Sequence, residues 1–571
     1  MTRYLGRSRG LKFTMLVAIT ATVGAFLPGV AAGAKTTATR STGSATTLAR
    51  QQSTTAGSAH VVEQAKTYGS APKPTAKQLL DATSKSLFEH ETEPPHGDGY
   101  KGPASPLAGA GMKAPDALPR SPSAAQASPA DLSTYRNVSI APAAASGVDE
   151  PSIAANGRFI LVTGNWYAAY STDKGATYTY LNPFTAFGSG FCCDQVVDYD
   201  ASRNRFIWEA QFNNHLALIS ASGTNPASYC YWNITPQQQG EPSGAVFDYN
   251  HLSVGRDFAY MTSNVYGGNP GSVSKIMIFP LDTLAACGSL GYGYYTRPEF
   301  SWGTVHDTGD IAYLGTNWTS RYTLGTKFTI FRYLEQTNQG FVNDISIDPF
   351  TFEFFGGSQY CGSADGVVLN WCARTDSRMG DSGWLAISSQ AEANSGGNAY
   401  NDEIVGFAFN AKNDANHPRP YIRKIYFRTS NLSYIGYAEH WASWGAFQYP
   451  GTATNHRGDL LTRWAWGGGT GSTHYYPGSG YSLQDDISPT QPWIYRYSQY
   501  GAGNPCLNSD GLRRWGDYLT ARSYNPTRDL FVHVGFALAG NAGGCGSTAP
   551  VRVNIQIVGR ERARPSYLRW S

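Results

Sequence analysis

One seven-residue strand recurs through the second part of the chain, and it constrains the fold more than any other feature. It appears at 159–165 (FILVTGN), 206–212 (FIWEAQF), 258–264 (FAYMTSN) and 311–317 (IAYLGTN). Looser copies stand at 404–410 (IVGFAFN), 460–466 (LLTRWAW) and 530–536 (LFVHVGF), which makes seven. Most copies follow a tight turn such as Asn156-Gly157-Arg158, Gly255-Arg256-Asp257 or Arg457-Gly458-Asp459. Another short β-branched or aromatic run precedes each turn. Alternating runs punctuated by Gly, Asn and Asp read as strands and hairpins, and a four-strand unit every 50–70 residues is what a propeller blade requires. The expected fold is therefore all-β, a seven-bladed β-propeller over 133–571. Segment 317–410 holds either one long blade or a blade plus an insertion.

The ring's closure is also legible. Three strands are expected after Asp517, at 518–524, 530–538 and 551–558. The fourth strand of that blade is expected from 135–140 (YRNVSI), so that the N-terminal strand closes the last blade and removes an exposed edge. A ring closed in this way is expected to act as a monomer.

The first part of the chain is different. Arg3, Arg7, Arg9 and Lys12 precede an apolar run at 13–30, and Ala32-Gly33-Ala34 follows. This pattern predicts a secretory signal peptide over 1–34, cleaved before Lys35. Thr20, Thr22, Gly24 and Pro28 interrupt the run and argue against a membrane anchor. Residues 35–132 are rich in Ala, Ser, Thr, Pro and Gly and contain neither Trp nor Cys. They read as a low-complexity linker or pro-segment, with one short helix at 79–88. A secreted, extracellular protein is expected, with no membrane partner after cleavage.

Charge sets a further boundary. The 44 basic and 41 acidic residues nearly cancel, which excludes an electrostatic nucleic-acid binder. Eight cysteines in an exported chain favour disulfides over metal, since no CxxC pair exists. Cys361–Cys372 and Cys506–Cys545 are the local pairings expected. Adjacent Cys192 and Cys193 are expected to seek separate partners.

Ser171-Thr172-Asp173-Lys174-Gly175-Ala176-Thr177-Tyr178 resembles the Asp-box, S-x-D-x-G-x-T-[WF], with Tyr in the last place. That motif marks the sialidase-like, BNR-repeat propellers. The resemblance covers 135–571 as architecture and eight residues as motif. It implies that the box joins the third and fourth strands of a blade, away from the active face. It also implies a range of activities: sialidases, other glycosidases, polysaccharide lyases and non-catalytic binding propellers. The Phe-Arg-Ile-Pro element of sialidases is absent, and Phe427-Arg428 lies in another blade.

Propeller sites lie where first strands begin and second strands end. Four starts carry chemistry: Glu150, Asp194-Gln195, His251, and Arg514 to Tyr518. Where His251 stands, the other alignable blades carry Ser152, Val196 and Gly451, so an imidazole there departs from the packing pattern. Asp194, His251, Arg514, Asp517 and Tyr518 are the candidate catalytic set. Two carboxyl groups among Glu150, Asp194 and Asp517 suit glycoside hydrolysis. In a lyase, His251 would take the proton α to a uronate carboxylate, Arg514 would neutralise that carboxylate and Tyr518 would serve the leaving oxygen. Glu150, Gln195, His215, Trp166, Tyr266, Trp318 and Trp466 are the candidate substrate-binding residues, the rings because flat aromatics complement sugar C–H faces. No cofactor motif and no metal-ligand spacing appear; the carboxylates' alternative role is to hold a structural cation such as Ca²⁺. The leading expectation is a secreted carbohydrate-active enzyme that cleaves an extracellular glycan or polysaccharide. A uronate lyase and a non-catalytic glycan-binding propeller are the alternatives.

Overall fold

The computed structural model describes residues 132–560 except 188–189, 269–271, 319–324, 354–358, 388–402, 457, 485–492, 527 and 529. It also describes the backbone of four short strands further upstream. Contacts divide the chain into Met1–Thr47, none of it described, and Leu48–Ser571. The signal peptide and the helix expected at 79–88 lie outside the described residues.

Seven antiparallel sheets form the ring. The chain is a seven-bladed β-propeller. All seven recurring strands are second strands: Phe159–Gly164, Arg205–Phe212, Phe258–Tyr266, Ile311–Thr316, Glu403–Ala411, Leu460–Gly468 and Phe531–Leu538. Each pairs with a first strand before it and a third strand after it. The last blade contributes Thr520–Ser523, Phe531–Leu538 and Val551–Arg560. Leu132–Ile140 completes it, running antiparallel to Val551–Arg560. The span 317–410 holds a blade plus an insertion: blade 4 ends at Ser346, and blade 5 starts at Met379.

Alternating apolar residues fill the spaces between blades. Leu161, Trp166, Phe206 and Trp208 belong to one such layer. Fully burying a side chain of Val or Phe size stabilises by roughly 2 kcal/mol, so these layers dominate the favourable energy. The first strands crowd the axis, and glycine makes room there. A Cβ on Gly451 would stand 2.1 Å from the Leu519 carbonyl oxygen, and one on Gly383 would stand 2.5 Å from that of Thr304.

Segments from before the propeller pair with its outer edges. Gln51–Thr54 lies on the last strand of blade 4, His60–Val62 on that of blade 3 and Lys66–Tyr68 on that of blade 2. Met112–Lys113 runs parallel to the last strand of blade 5. Paired edges offer no template to another chain.

Four disulfides are present: Cys192–Cys193, Cys230–Cys287, Cys361–Cys372 and Cys506–Cys545. Both local pairings occur as expected. The expectation for Cys192 and Cys193 is corrected, because they bond each other. They lie where the blade 2 pairing slips between Phe191 and Gln195, and the bulge frees this stretch from strand register. Among the described residues, no helix is long and apolar enough to cross a membrane.

The turn at Ser171–Tyr178 joins the third and fourth strands of blade 1, Tyr167–Ser171 and Thr179–Leu181. Asp173 accepts hydrogen bonds from the Ala176 and Thr177 amides, both at 2.9 Å, and from the Thr177 hydroxyl at 2.6 Å. Partial burial would raise its pKa, but these bonds prevail and hold it at about 2. Gly175 takes φ +77°, a conformation that glycine adopts without steric cost.

Candidate functional site

The starts of the first strands are unusual in backbone and composition. Glu150, Tyr249 and Tyr449 all have φ between +46° and +58°. Non-glycine residues in that region cost about 1–3 kcal/mol each and persist where the surroundings over-determine them. In blades 2, 3, 5 and 6 the pairing slips at the same place, so the strand bulges as it enters the sheet. These corners turn polar side chains inward instead of along the pleat.

The result is a buried cluster of carboxyl groups at the mouth: Glu150, Asp194, Glu209, Asp376 and Asp517. Two arginines accompany them. Arg514 Nη2 stands 2.5 Å from Asp517 Oδ2 and 3.5 Å from Glu150 Oε1. Arg378 Nε stands 2.6 Å from Asp376 Oδ2, and its guanidinium lies 4.2 Å over the Tyr249 ring. Asn165 donates to Glu150 Oε2 at 2.9 Å, and Asn250 donates to Gln211 at 2.8 Å beside Glu209.

Burial and mutual repulsion act on these acids together. Burial pushes the Glu150 carboxyl well above its ordinary range; Asp194 and Asp517 add to this, and Arg514 opposes it. Glu209 is pushed well up by burial and by Asp194. Burial carries Asp376 to about 7 against the pull of Arg378. The Tyr518 phenol is raised by burial and by Asp194, Glu150, Glu209 and Asp517 around it.

The structure thus brings Glu150, Asp194, Arg514, Asp517 and Tyr518 into one cluster. His251 lies just beneath, fully buried, with its ring edge-on to Tyr249 at 4.9 Å and Tyr518 at 5.9 Å. Burial lowers it to about 4, which leaves a neutral imidazole at neutral pH. Its alignment needs correction. Gln195 faces Ala210 as His251 faces Thr262, so the blade 2 equivalent is Gln195 and not Val196; the bulge shifts the count by one. Gln195 itself is fully engaged, donating to the Gly164 and Tyr167 carbonyls at 2.7 and 2.8 Å and accepting from Trp208.

The other candidates are engaged in packing within and between blades. Trp166 is buried and donates to the Cys192 carbonyl at 2.7 Å. Tyr266 and Trp318 belong to the core between blades 3, 4 and 5. Trp466 is enclosed by Trp444, Tyr497 and Tyr500. His215 stacks on Phe212 at 4.3 Å in a blade 2 turn, and burial lowers it to about 4.

Glu209, Asp376 and Arg378 were missed in the sequence. Glu209 had a visible signal. At its place in the second strand the other copies carry Val162, Met261, Leu314, Phe407, Arg463 and His533, so an acid stands where four of the six are apolar. Asp376 and Arg378 lie at the end of the blade 4–5 insertion, where no repeat exists to compare.

That insertion and the loop before blade 7 meet near the mouth. Leu369 donates to Asn504 at 2.9 Å, Arg374 pairs with Asp510 at 2.5 Å, and Trp371 packs against Trp515 at 6.2 Å. Each is tied by a disulfide, Cys361–Cys372 in one and Cys506–Cys545 in the other.

No family model and no curated protein matches this chain. Solved structures do. An α-L-arabinofuranosidase from Fusarium graminearum, in complex with an iminosugar inhibitor, is similar at 10% identity over 74% of this chain and 97% of that one, with a TM-score of 0.35. A neuraminidase-like protein of a bat influenza virus of subtype N10 matches at 7% identity over 62% and 94%, TM-score 0.32. The WD40 domain of SCAP from fission yeast matches at 6% over 76% and 99%, TM-score 0.33. Superpositions this loose say nothing about activity.

Proposed function

We propose that this protein is a glycan-cleaving propeller of the sialidase-like kind, and that the mouth cluster hydrolyses a glycosidic bond. The observation that carries the reading is the pair Glu150 and Asp517 on one arginine nitrogen. Both contacts end on Arg514 Nη2, so the two carboxyl oxygens are no further apart than the sum of 2.5 and 3.5 Å. Inverting glycosidases need about 6.5–9.5 Å between their carboxyl groups to admit a water, and retaining ones about 5–5.5 Å. The short spacing suits double displacement.

In this reading Glu150, whose carboxyl burial pushes well above its ordinary range, is the acid and gives its proton to the glycosidic oxygen. Asp517 attacks the anomeric carbon and forms a glycosyl ester as the leaving sugar departs. Glu150, now a base, takes a proton from water, whose oxygen displaces Asp517. Arg514 orients both carboxyl groups, and Tyr518 stands among the acids as a hydroxyl partner for the sugar. The elimination alternative is less well supported, because Arg514 already serves two carboxyl groups and is not available to grip a uronate. The Asp173 turn supports placement in the sialidase-like superfamily, since it occupies the third-to-fourth-strand position.

The test is release of reducing ends from a glycan panel by the wild type and by Asp517→Asn. Asp517→Asn should lose at least about a hundredfold in rate, and the first-formed product should keep its anomeric configuration. Inverted product, or an active Asp517→Asn, would rule out this assignment.

A further inference from the structure

Large apolar side chains left exposed on this protein are gathered in one place. Among the described residues they are Tyr360, Val367, Tyr500 and Leu507, exposed by 41, 43, 50 and 45%. Tyr360 and Val367 lie in the insertion before blade 5, and Tyr500 and Leu507 in the loop before blade 7. These two segments touch: Asn504 accepts from the Leu369 amide at 2.9 Å and donates to the Val367 carbonyl at 3.3 Å. Each runs on into the mouth, the insertion to Asp376 and Arg378 and the loop to Arg514 and Asp517. Single exposed apolar residues need no explanation, but a concentration of them beside a site marks an interaction surface.

The exposure is built into the backbone. Tyr360 precedes Cys361 and Leu507 follows Cys506, so a disulfide anchors the residue beside each. The Tyr360 hydroxyl donates to the Ser363 carbonyl at 2.8 Å. The Arg419 guanidinium donates to the Gly362 carbonyl at 2.8 Å and lies 5.8 Å over the Tyr360 ring. The Leu507 amide donates to the Gly543 carbonyl at 3.0 Å, and its carbonyl accepts from Cys545 at 3.2 Å. Tyr500 meets Trp466 in an edge contact at 5.2 Å. The chain after it has no slack: a Cβ on Gly501 would stand 2.2 Å from the Pro477 carbonyl oxygen, and one on Gly503 2.1 Å from the Gly540 carbonyl carbon. Side chains held in this way lose little freedom when a ligand covers them.

We infer that Tyr360, Val367, Tyr500 and Leu507 form a platform, outside the cleaving cluster, that holds the extended part of a neutral glycan chain. A phenol ring offers an apolar face to sugar C–H groups and a polar edge to hydroxyls. Four half-exposed side chains offer on the order of 300 Å², short of the roughly 800 Å² per partner that a stable protein interface takes. The rim's charges are met within the chain, Asp365 by His474 at 2.6 Å and Asp510 by Arg374. The platform therefore offers shape and apolar surface, which suits an uncharged oligosaccharide. The inference rests on the reading of the mouth as a glycan-cleaving site and deepens it: the substrate is a chain long enough to reach from the mouth onto the rim.

The experiment measures calorimetric binding and hydrolysis with two-unit and six-unit oligomers of arabinan, xylan, mannan and chitin. The expected result is a six-unit oligomer bound at least about tenfold more tightly than its two-unit form. That ratio should collapse toward one in the double variant Tyr360→Ala, Tyr500→Ala. It should survive in Tyr360→Phe, Tyr500→Phe, which keeps the rings. Should the alanine pair fail to fold, the exposed pair Val367→Asp, Leu507→Asp reads the same ratio from the aliphatic side of the platform. Affinity independent of length, or a ratio kept in full by the alanine pair, would overturn the inference while leaving any cleavage, and so the hydrolytic reading, standing. A length preference lost in the alanine pair, with no oligomer cleaved, would keep the platform and defeat the hydrolytic reading. Binding of no oligomer would defeat the platform. Self-association that disappears in Val367→Asp, Leu507→Asp would also defeat it, by giving the patch to a second copy of the chain.

Discussion

Two buried charged clusters lie near the propeller axis, and they are built on opposite plans. At the mouth, five buried acids stand with two arginines. Deeper along the axis, His306 bridges Asp198 at 2.9 Å and Asp381 at 2.5 Å. Arg522 pairs with Asp381 at 2.7 Å, and Asp198 accepts the Val254 and Tyr199 amides. These side chains come from blades 2, 4, 5 and 7, so the network ties opposite sides of the ring together. Its charges balance: two carboxylates meet one guanidinium and one imidazolium. Burial and the nearby Arg522 would lower the His306 pKa, but its two carboxylate partners prevail and raise it to about 9. Asp381, though buried, is held well below the usual range by Arg522 and His306. Similar residue types therefore serve two ends. Along the axis they are saturated and charged; at the mouth acids outnumber arginines, and the carboxyl pKa values of Glu150, Glu209 and Asp376 are pushed up.

Breaking the saturated cluster should have the largest effect on stability. Asp381→Ala strands Arg522 and His306 in the core, and losing one partner of a buried network costs about 3–5 kcal/mol. Equilibrium unfolding in denaturant should register this as a clear drop in midpoint. A variant as stable as the wild type would mean that the network is not a brace.

A smaller effect is expected from pH. His306 has a folded pKa of about 9 against an unfolded value near 6.5. Its contribution is complete below about pH 6.5 and disappears as pH rises through about 9. Melting temperature should fall across that window in the wild type. The His306→Gln variant should start lower and lose that part of the slope. An unchanged slope would show that His306 does not carry the charge.

Much of this contrast can be traced in the sequence, for physical reasons. The second strands repeat because each fills the same inter-blade layer, so their period was readable. The closing strand, expected at 135–140 and observed at Leu132–Ile140, was readable because three strands after Asp517 leave a blade one short. Glu150, Asp194, Arg514, Asp517 and Tyr518 were readable because they stand at strand starts. Asp376 and Arg378 come from an insertion without a repeat. The bond between Cys192 and Cys193 depends on a bulge that pattern alone does not reveal. The axial network was missed because Asp198, His306, Asp381 and Arg522 are distant in sequence and meet only when the ring closes.

The most direct measurement of the central claim is the unfolding free energy of Glu150→Gln at neutral pH, taken alongside its hydrolytic rate. The proposed mechanism makes Glu150 the acid, the form that burial and its acidic neighbours favour, and the amide is nearly isosteric with that form. The expected result is stability within about 1 kcal/mol of the wild type, the range of a conserved neutral hydrogen bond, with at least about a hundredfold loss of turnover. A loss of stability as large as that of Asp381→Ala, with turnover retained in the folded fraction, would contradict the account and make the mouth a second brace.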